Sequence, residues 1–229
     1  MIGKTEFPEP YEYKVSRTVK HMAGEALIEA AFLGQRKTCE MLLRPEFQAD
    51  VNAQNRQGFS AFAAAYDRKR LGPASFLIDH GAEIRGDSKY TWHPVLKAAH
   101  DGWIPALNMF KYHKVDFNQG YEIWQHGKSR FSRPKKYIVY PLEAAFLGEH
   151  SCSVRFLLDN GADVNLFNPS FCRYTIRSFA NDPKYSAFLD PETKEILMKK
   201  MRENPVPPAP QKPLTFVQRV CSAIQNKRA

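Results

Sequence analysis

Residues 141–165 read PLEAAFLGEHSCSVRFLLDNGADVN, and two short helical patterns are legible in them. Leu142, Ala145 and Phe146 recur at helical spacing, and Gly148 interrupts them. Val154, Phe156, Leu157 and Leu158 then form a second apolar face that Asn160-Gly161 stops. Pro141 suits the first turn of a helix, where its missing N–H would have had no partner, and Gly161 suits the left-handed residue that ends one. Isolated helices below roughly 12–15 residues are marginal in water, so neither helix stands alone and the unit must stack on others.

The rest of the chain supplies them. EAAFLG occurs at Glu29 to Gly34 and again at Glu143 to Gly148, and ADVN occurs at Ala49 to Asn52 and at Ala162 to Asn165. A third copy runs from Ser60-Ala61-Phe62 through FLIDHGAEI, Phe76 to Ile84. A fourth runs from His93-Pro94-Val95-Leu96 through KAAHDG to Val115-Asp116-Phe117-Asn118. From Ser60 to His93 is 33 residues. Period and pattern resemble the ankyrin repeat family over residues 24–165. The resemblance implies an all-α ankyrin-repeat solenoid, helix-turn-helix repeats joined by hairpin fingers, of about four repeats plus a C-terminal cap. It also implies protein recognition by the hairpin tips and the concave helix face.

Domain organisation follows from the punctuation. Residues 1–22 carry Pro8, Pro10, Tyr11 and Tyr13 without helical period and are expected to form an irregular arm. Residues 23–203 are expected to form the repeat domain. Within it, Gly58 permits the turn before one helix, Pro73 and Pro105 sit in the first turns of two others, and His113 is read as replacing the stop glycine of its unit. From His93 to the matching Tyr140 is 47 residues, 14 more than the period, and the excess falls in a long insertion at 119–139, QGYEIWQHGKSRFSRPKKYIV. After Asn165 a decayed unit with a helix from about Pro191 reads as the cap. Residues 204–213, NPVPPAPQKP, read as a semi-rigid proline-rich linker, and 214–229 as a short amphipathic helix.

Composition bounds the class. The chain has 229 residues, 43% of them hydrophobic, enough for one continuous core. A net charge of +9 favours an acidic partner without choosing among nucleic acid, an anionic surface and protein. Cys39, Cys152, Cys172 and Cys221 form no C-x-x-C and read as reduced thiols. With no apolar run long enough to span a membrane and no signal peptide, the expectation is an intracellular, monomeric protein, cytoplasmic or nuclear, with export only by a non-classical route.

No catalytic residue, cofactor or metal site is expected. The glycines form neither G-x-G-x-x-G nor a Walker loop, no H-E-x-x-H occurs, and the seven histidines are scattered. His80 and His113, at turns, are read as surface or capping residues, and Trp92 and Trp103 suit packing as well as exposure. The leading expectation is a non-enzymatic protein-binding scaffold. The partner-binding residues expected are Arg56, Lys89, Tyr90 and Trp103, together with Trp124, Lys128, Arg130, Phe131, Arg133, Lys135, Lys136 and Tyr137 of the insertion. The five basic residues of 119–139 outnumber Glu122 to give +4, interleaved with aromatics. That composition supports a second reading, in which the finger tracks a phosphate backbone while rings stack on bases. A third reading comes from KPLTFVQRVCSAIQNKR, which faintly resembles the elongin-binding start of a SOCS box in ubiquitin-ligase adaptors. It departs from that pattern at Gln225 and in ending at Ala229 before a cullin-binding segment.

Overall fold

The computed structural model describes residues 16–86, 92–125, 135–166, 176, 181 and 183–205, and the protein is mostly helical. Four helical pairs follow one another: α1 (Arg17–Leu33) with α2 (Arg36–Leu42), α3 (Ala61–Asp67) with α4 (Leu71–Asp79), α5 (Pro94–His100) with α6 (Ile104–Tyr112), and α7 (Pro141–Leu147) with α8 (Ser151–Asp159). In each pair the two helices pack on each other. Among the first helices α1 packs on α3 and α5 on α7, and the second helices α2, α4, α6 and α8 form a row. The helix Pro191–Glu203, starting where the sequence placed it, closes the row against α8.

Helix starts are fixed by side-chain caps that satisfy otherwise orphaned N–H groups. Ser60 Oγ accepts from the Ala63 N–H at 3.2 Å, His93 Nδ1 from the Val95 N–H at 3.3 Å, and Asp190 Oδ1 from the Thr193 N–H at 2.8 Å. The buried Glu143 carboxylate reaches back to the Tyr140 N–H at 3.0 Å. From these starts each helix delivers its apolar residues to one cluster shared by all four pairs. Phe62, Leu77, Leu96, Phe110, Phe146 and Leu157 are among the fully buried side chains, each stabilising the fold by about 1.5–3 kcal/mol through burial.

The arm expected to stay irregular through residue 22 ends sooner. Ser16 Oγ accepts from the Val19 N–H at 3.3 Å and α1 begins at Arg17. Val19 and Met22 are 43% and 64% exposed. These first turns bury nothing before Ala23, and a helix without a buried face leaves no apolar period to read.

His113 also departs from expectation. Its φ is −83°, and the left-handed position falls on Lys114 at +57°, where Gly81 and Gly161 stand at +88° and +85° in the second and fourth units. His113 is not at the surface either. Its side chain is 6% exposed, its Nε2 lies 2.8 Å from Ser75 Oγ, and its Nδ1 lies 3.5 Å from Asp79 Oδ1, so it ties α6 to α4.

The two EAAFLG copies end differently. After α1, Gly34 itself turns left-handed with φ +81°; after α7, Gly148 keeps φ −82° and Glu149 takes the turn at +57°. Gly148 is required for another reason. A Cβ there would lie 1.8 Å from the His100 carbonyl oxygen, so this glycine sets how closely α7 approaches the end of α5.

The long insertion is a hairpin. Strand β1 (Tyr121–Gln125) pairs antiparallel with β2 (Lys135–Val139), Tyr121 opposite Val139 and Ile123 opposite Tyr137. Tyr121, Ile123 and Val139 are buried, whereas Glu122, Lys136 and Ile138 face water, the alternation of a strand with one covered face. The Tyr121 ring stacks on His93 at 3.8 Å, which fixes the base of the hairpin on the start of α5.

Candidate functional site

Successive units are joined by one repeated device. Asn52 Nδ2 donates to the Gly81 carbonyl at 3.1 Å while its Oδ1 accepts from the Glu83 N–H at 2.8 Å. Asn118 makes the same pair of bonds to the Gly161 carbonyl (3.0 Å) and the Asp163 N–H (2.8 Å). Asn165 Nδ2 donates to the Asn204 carbonyl at 3.2 Å. A side-chain amide suits this work because it carries a donor and an acceptor together. In the second unit the position is Arg85, which has no acceptor and instead pairs with Glu83.

Where that clamp is missing the first helices pack loosely. Unlike the pairs on either side of them, α3 and α5 do not pack closely, and between them lies a space of ≈490 Å³. Ala63, Tyr66 and Pro94 form its floor and Trp92 a wall, while Asp67, Arg85, Lys97, His100 and Asp101 stand around it. Tyr66 is buried, and its hydroxyl donates to the Pro94 carbonyl at 2.8 Å. Burial pushes the Tyr66 pKa well above its ordinary value, and the carboxylates of Asp101 and Asp67 push it in the same direction, so both acids project their field into the cleft. Each has a partner: Lys97 Nζ lies 3.0 Å from Asp67 across the cleft, and His100 Nδ1 lies 2.8 Å from Asp101. The Trp92 ring meets His100 edge-on at 5.0 Å. The rim is therefore charged but balanced, over an aromatic floor.

A second cleft of ≈310 Å³ lies beside it, between α1, α3 and the turn at 55–59, and shares Asp67. Phe32 and Phe59 line it, and the Arg68 guanidinium lies over the Phe32 ring at 4.1 Å. The two clefts together run along the first-helix side of the first three pairs.

His93 borders the site. Burial pushes its pKa down to about 4, against a raising bond to the Ile84 carbonyl, so the ring stays neutral and Nδ1 remains free to cap α5. Burial, reinforced by the Asp116 carboxylate, pushes the Tyr121 hydroxyl up to about 12.

The residues expected from sequence distribute unevenly around this geometry. Arg56 is exposed in the turn whose neighbours Asn55 and Gln57 line the smaller cleft. Trp103 is half-buried, with its ring 4.9 Å from Tyr66 and the Lys69 ammonium 5.7 Å from its centre, so it joins the second and third pairs rather than standing free. Lys136 is exposed and paired with Glu122 at 2.5 Å; Tyr137 is half-buried against the core. Trp124 and Lys135 occupy register positions opposite Lys136 and Gln125. Lys89, Tyr90, Lys128, Arg130, Phe131, Arg133 and the tail from residue 206 lie outside the described residues. Asp67, Arg85, Lys97, His100 and Asp101, which line the larger cleft, were not singled out for binding by the sequence, and Trp92, which lines it too, suited packing as well as exposure on the binding face. The one signal among them was Arg85, in the place that Asn52, Asn118 and Asn165 hold elsewhere.

Two observations bear on chemistry. Among the described residues, no group of three or more His, Cys, Asp or Glu side chains is placed to hold a metal ion. The Ser75, His113 and Asp79 contacts have the order of a nucleophile, base and acid. However, Ser75 lies past the first turn of α4, where its own N–H and that of Phe76 are spent within the helix and are not free as oxyanion donors. No helix among the described residues is long and apolar enough to cross a membrane. Comparison with known proteins adds no relative: no family model matches the chain, and no curated protein matches it.

Proposed function

We propose that the chain is a non-enzymatic protein-binding module, an ankyrin-type stack of about four repeats with a C-terminal cap, that takes its partner on the first-helix side. The observation that carries this reading is the ≈490 Å³ cleft between α3 and α5, with its Tyr66, Pro94 and Trp92 surfaces and its balanced ring of charges. Such a site suits one apolar or aromatic anchor side chain of a partner, flanked by polar residues that meet the rim; anchors of this kind supply most of the energy of an interface. The recurring asparagine clamps support the ankyrin-type reading, since at two junctions they hold one turn in the same register with the next. Arg56 and the hairpin carrying Lys136 and Tyr137 extend the surface on either side, the role the resemblance gives to finger tips.

The test is capture from cell extract with the tagged chain, quantified by mass spectrometry, followed by titration of the purified partner. Trp92→Ala, checked for folding by circular dichroism, is expected to lose the partner and to weaken the purified complex by about 2 kcal/mol or more. Lys97→Glu, which sets three carboxylates at one rim, is expected to weaken it too. Unchanged capture by both variants refutes the cleft as the binding site. Tight, salt-sensitive binding of random nucleic acid, abolished by neutralising Lys128, Arg130, Arg133, Lys135 and Lys136, would replace this reading with phosphate-backbone recognition by the finger.

A further inference from the structure

The close contacts between units divide into two sets. At the first junction, a Cβ on Gly24 would lie 2.8 Å from the Ala53 Cβ, and one on Gly34 would lie 3.1 Å from Arg70. At the third junction, a Cβ on Gly148 would lie 1.8 Å from the His100 oxygen, and one on Gly102 would lie 2.8 Å from the His150 ring. Asparagine clamps cross the same two junctions. Neither device crosses the second junction among the described residues, α3 and α5 pack only loosely there, and Arg85 stands where the clamp belongs.

We infer that the second junction is a joint, at which the first two helical pairs move as one body against the third and fourth, and that Arg85 in place of asparagine is what frees it. Among the described residues, what crosses the junction is side-chain packing on one side and, at the base of the cleft, the buried hydrogen bond from the Tyr66 hydroxyl to the Pro94 carbonyl at 2.8 Å. Tyr66 lies against Trp103 and Phe110, His113 is held by Ser75 and Asp79, and α4 meets α6. These contacts form a pivot. Opposite them lies the cleft, spanned by the Lys97–Asp67 ion pair, whose exposed partners exchange readily with water. A change of angle about the pivot opens or closes the cleft and leaves the two tight junctions unstrained. An asparagine at 85 would find its two bonding groups 33 residues beyond those of Asn52, at the Lys114 carbonyl and the Asp116 N–H. This inference does not depend on what the cleft binds.

Double electron–electron resonance tests it. Spin labels go on Cys152 of α8 and on Glu40→Cys of α2, in a chain with Cys39→Ala, Cys172→Ser and Cys221→Ser. A second pair, Cys152 with Lys111→Cys of α6, reports motion across the third junction alone. The expected distance distribution for α2–α8 is at least about twice as broad as that for α6–α8, and Arg85→Asn narrows it towards the α6–α8 width while circular dichroism stays unchanged. Equal widths for the two pairs in the parent chain overturn the joint. A broad α2–α8 distribution that Arg85→Asn leaves broad overturns the assignment to Arg85.

Discussion

Replacing Gly148 by alanine pits two effects of known sign against each other. Gly148 has φ −82° and ψ −7°, a conformation alanine accepts, so entropy lost from the unfolded chain favours the variant by about 0.4–1 kcal/mol. The structure opposes it. The new Cβ would lie 1.8 Å from the His100 carbonyl oxygen, 2.6 Å from its carbonyl carbon and 2.9 Å from its Cα. Carbon and oxygen approach to about 3.3 Å in the closest ordinary contacts, so α5 and α7 must separate by roughly 1.5 Å. All three obstructing atoms are backbone, and the helices are anchored by Leu96, Ala99, Leu142 and Phe146, all nearly or fully buried. Overpacking of this kind costs about 1–3 kcal/mol, and with no flexible side chain to yield, the upper end applies. The net expectation is a loss of about 2 kcal/mol, which lowers the urea midpoint by roughly 1 M. Gly72→Ala is the matched control. It lies in α4 with nothing beyond its chain neighbours within 4 Å of its added Cβ, and the restriction that Pro73 puts on the helical residue before it offsets the entropy gain, so the net change expected is within about 1 kcal/mol. If Gly72→Ala lowers the midpoint as far as Gly148→Ala, the steric reasoning is wrong.

Three further outcomes are expected. Stability should fall with acid through His93: its folded pKa of about 4 lies below the ordinary value of about 6.5, so between these the unfolded chain binds the extra proton. The stabilisation is then complete above pH 6.5 and declines by about 3 kcal/mol as pH drops to 4. His93→Thr, which keeps a cap acceptor, should flatten that part of a pH series of urea unfolding curves, and an unaltered profile would remove His93 as its cause. Leu157→Ala empties a fully buried site in α8 and should cost about 2–5 kcal/mol; a loss under about 1 kcal/mol would mean the site collapses or is not core. The Ser153 hydroxyl is fully buried in α8 without a hydrogen-bond partner, so Ser153→Ala should raise stability by about 1 kcal/mol, and a clear loss in calorimetry would show that the hydroxyl has one.

Much of the fold was legible because its signals are local. Asn160-Gly161 stops α8 and Pro191 opens the closing helix wherever those residues sit, since each acts through its own backbone. Signals that depend on the next unit were not. The EAAFLG copies look identical, yet one extra residue before the following helix moves the left-handed turn from Gly34 in one copy to Glu149 in the other. Only the position of the neighbouring helix then says what Gly148 is for. Lys114 shows the same thing in reverse: a lysine holds a position where glycine is easier, and only its place 33 residues beyond Gly81, not its residue type, marks it rather than His113 as the turn.

The site is harder to read than the fold for a related reason. Its residues come from Ala63 to Asp101, and no pair of them has a spacing that marks a motif; they converge only because α3 and α5 belong to neighbouring units. The finger, by contrast, announced itself through composition, and composition selects charges and rings whether or not they are already engaged. Lys136 is engaged with Glu122, Tyr137 with the core and Trp103 with Tyr66. What distinguishes the cleft in sequence is a broken rule rather than a motif: three asparagines at matching positions and one arginine. Asparagine completes the junction because it gives and takes a hydrogen bond at once, and arginine can only give. One substitution at a repeated position therefore leaves two backbone groups of the next turn without their clamp. The first helices α3 and α5 pack loosely at that junction, whereas α1 with α3 and α5 with α7 pack closely at the clamped ones.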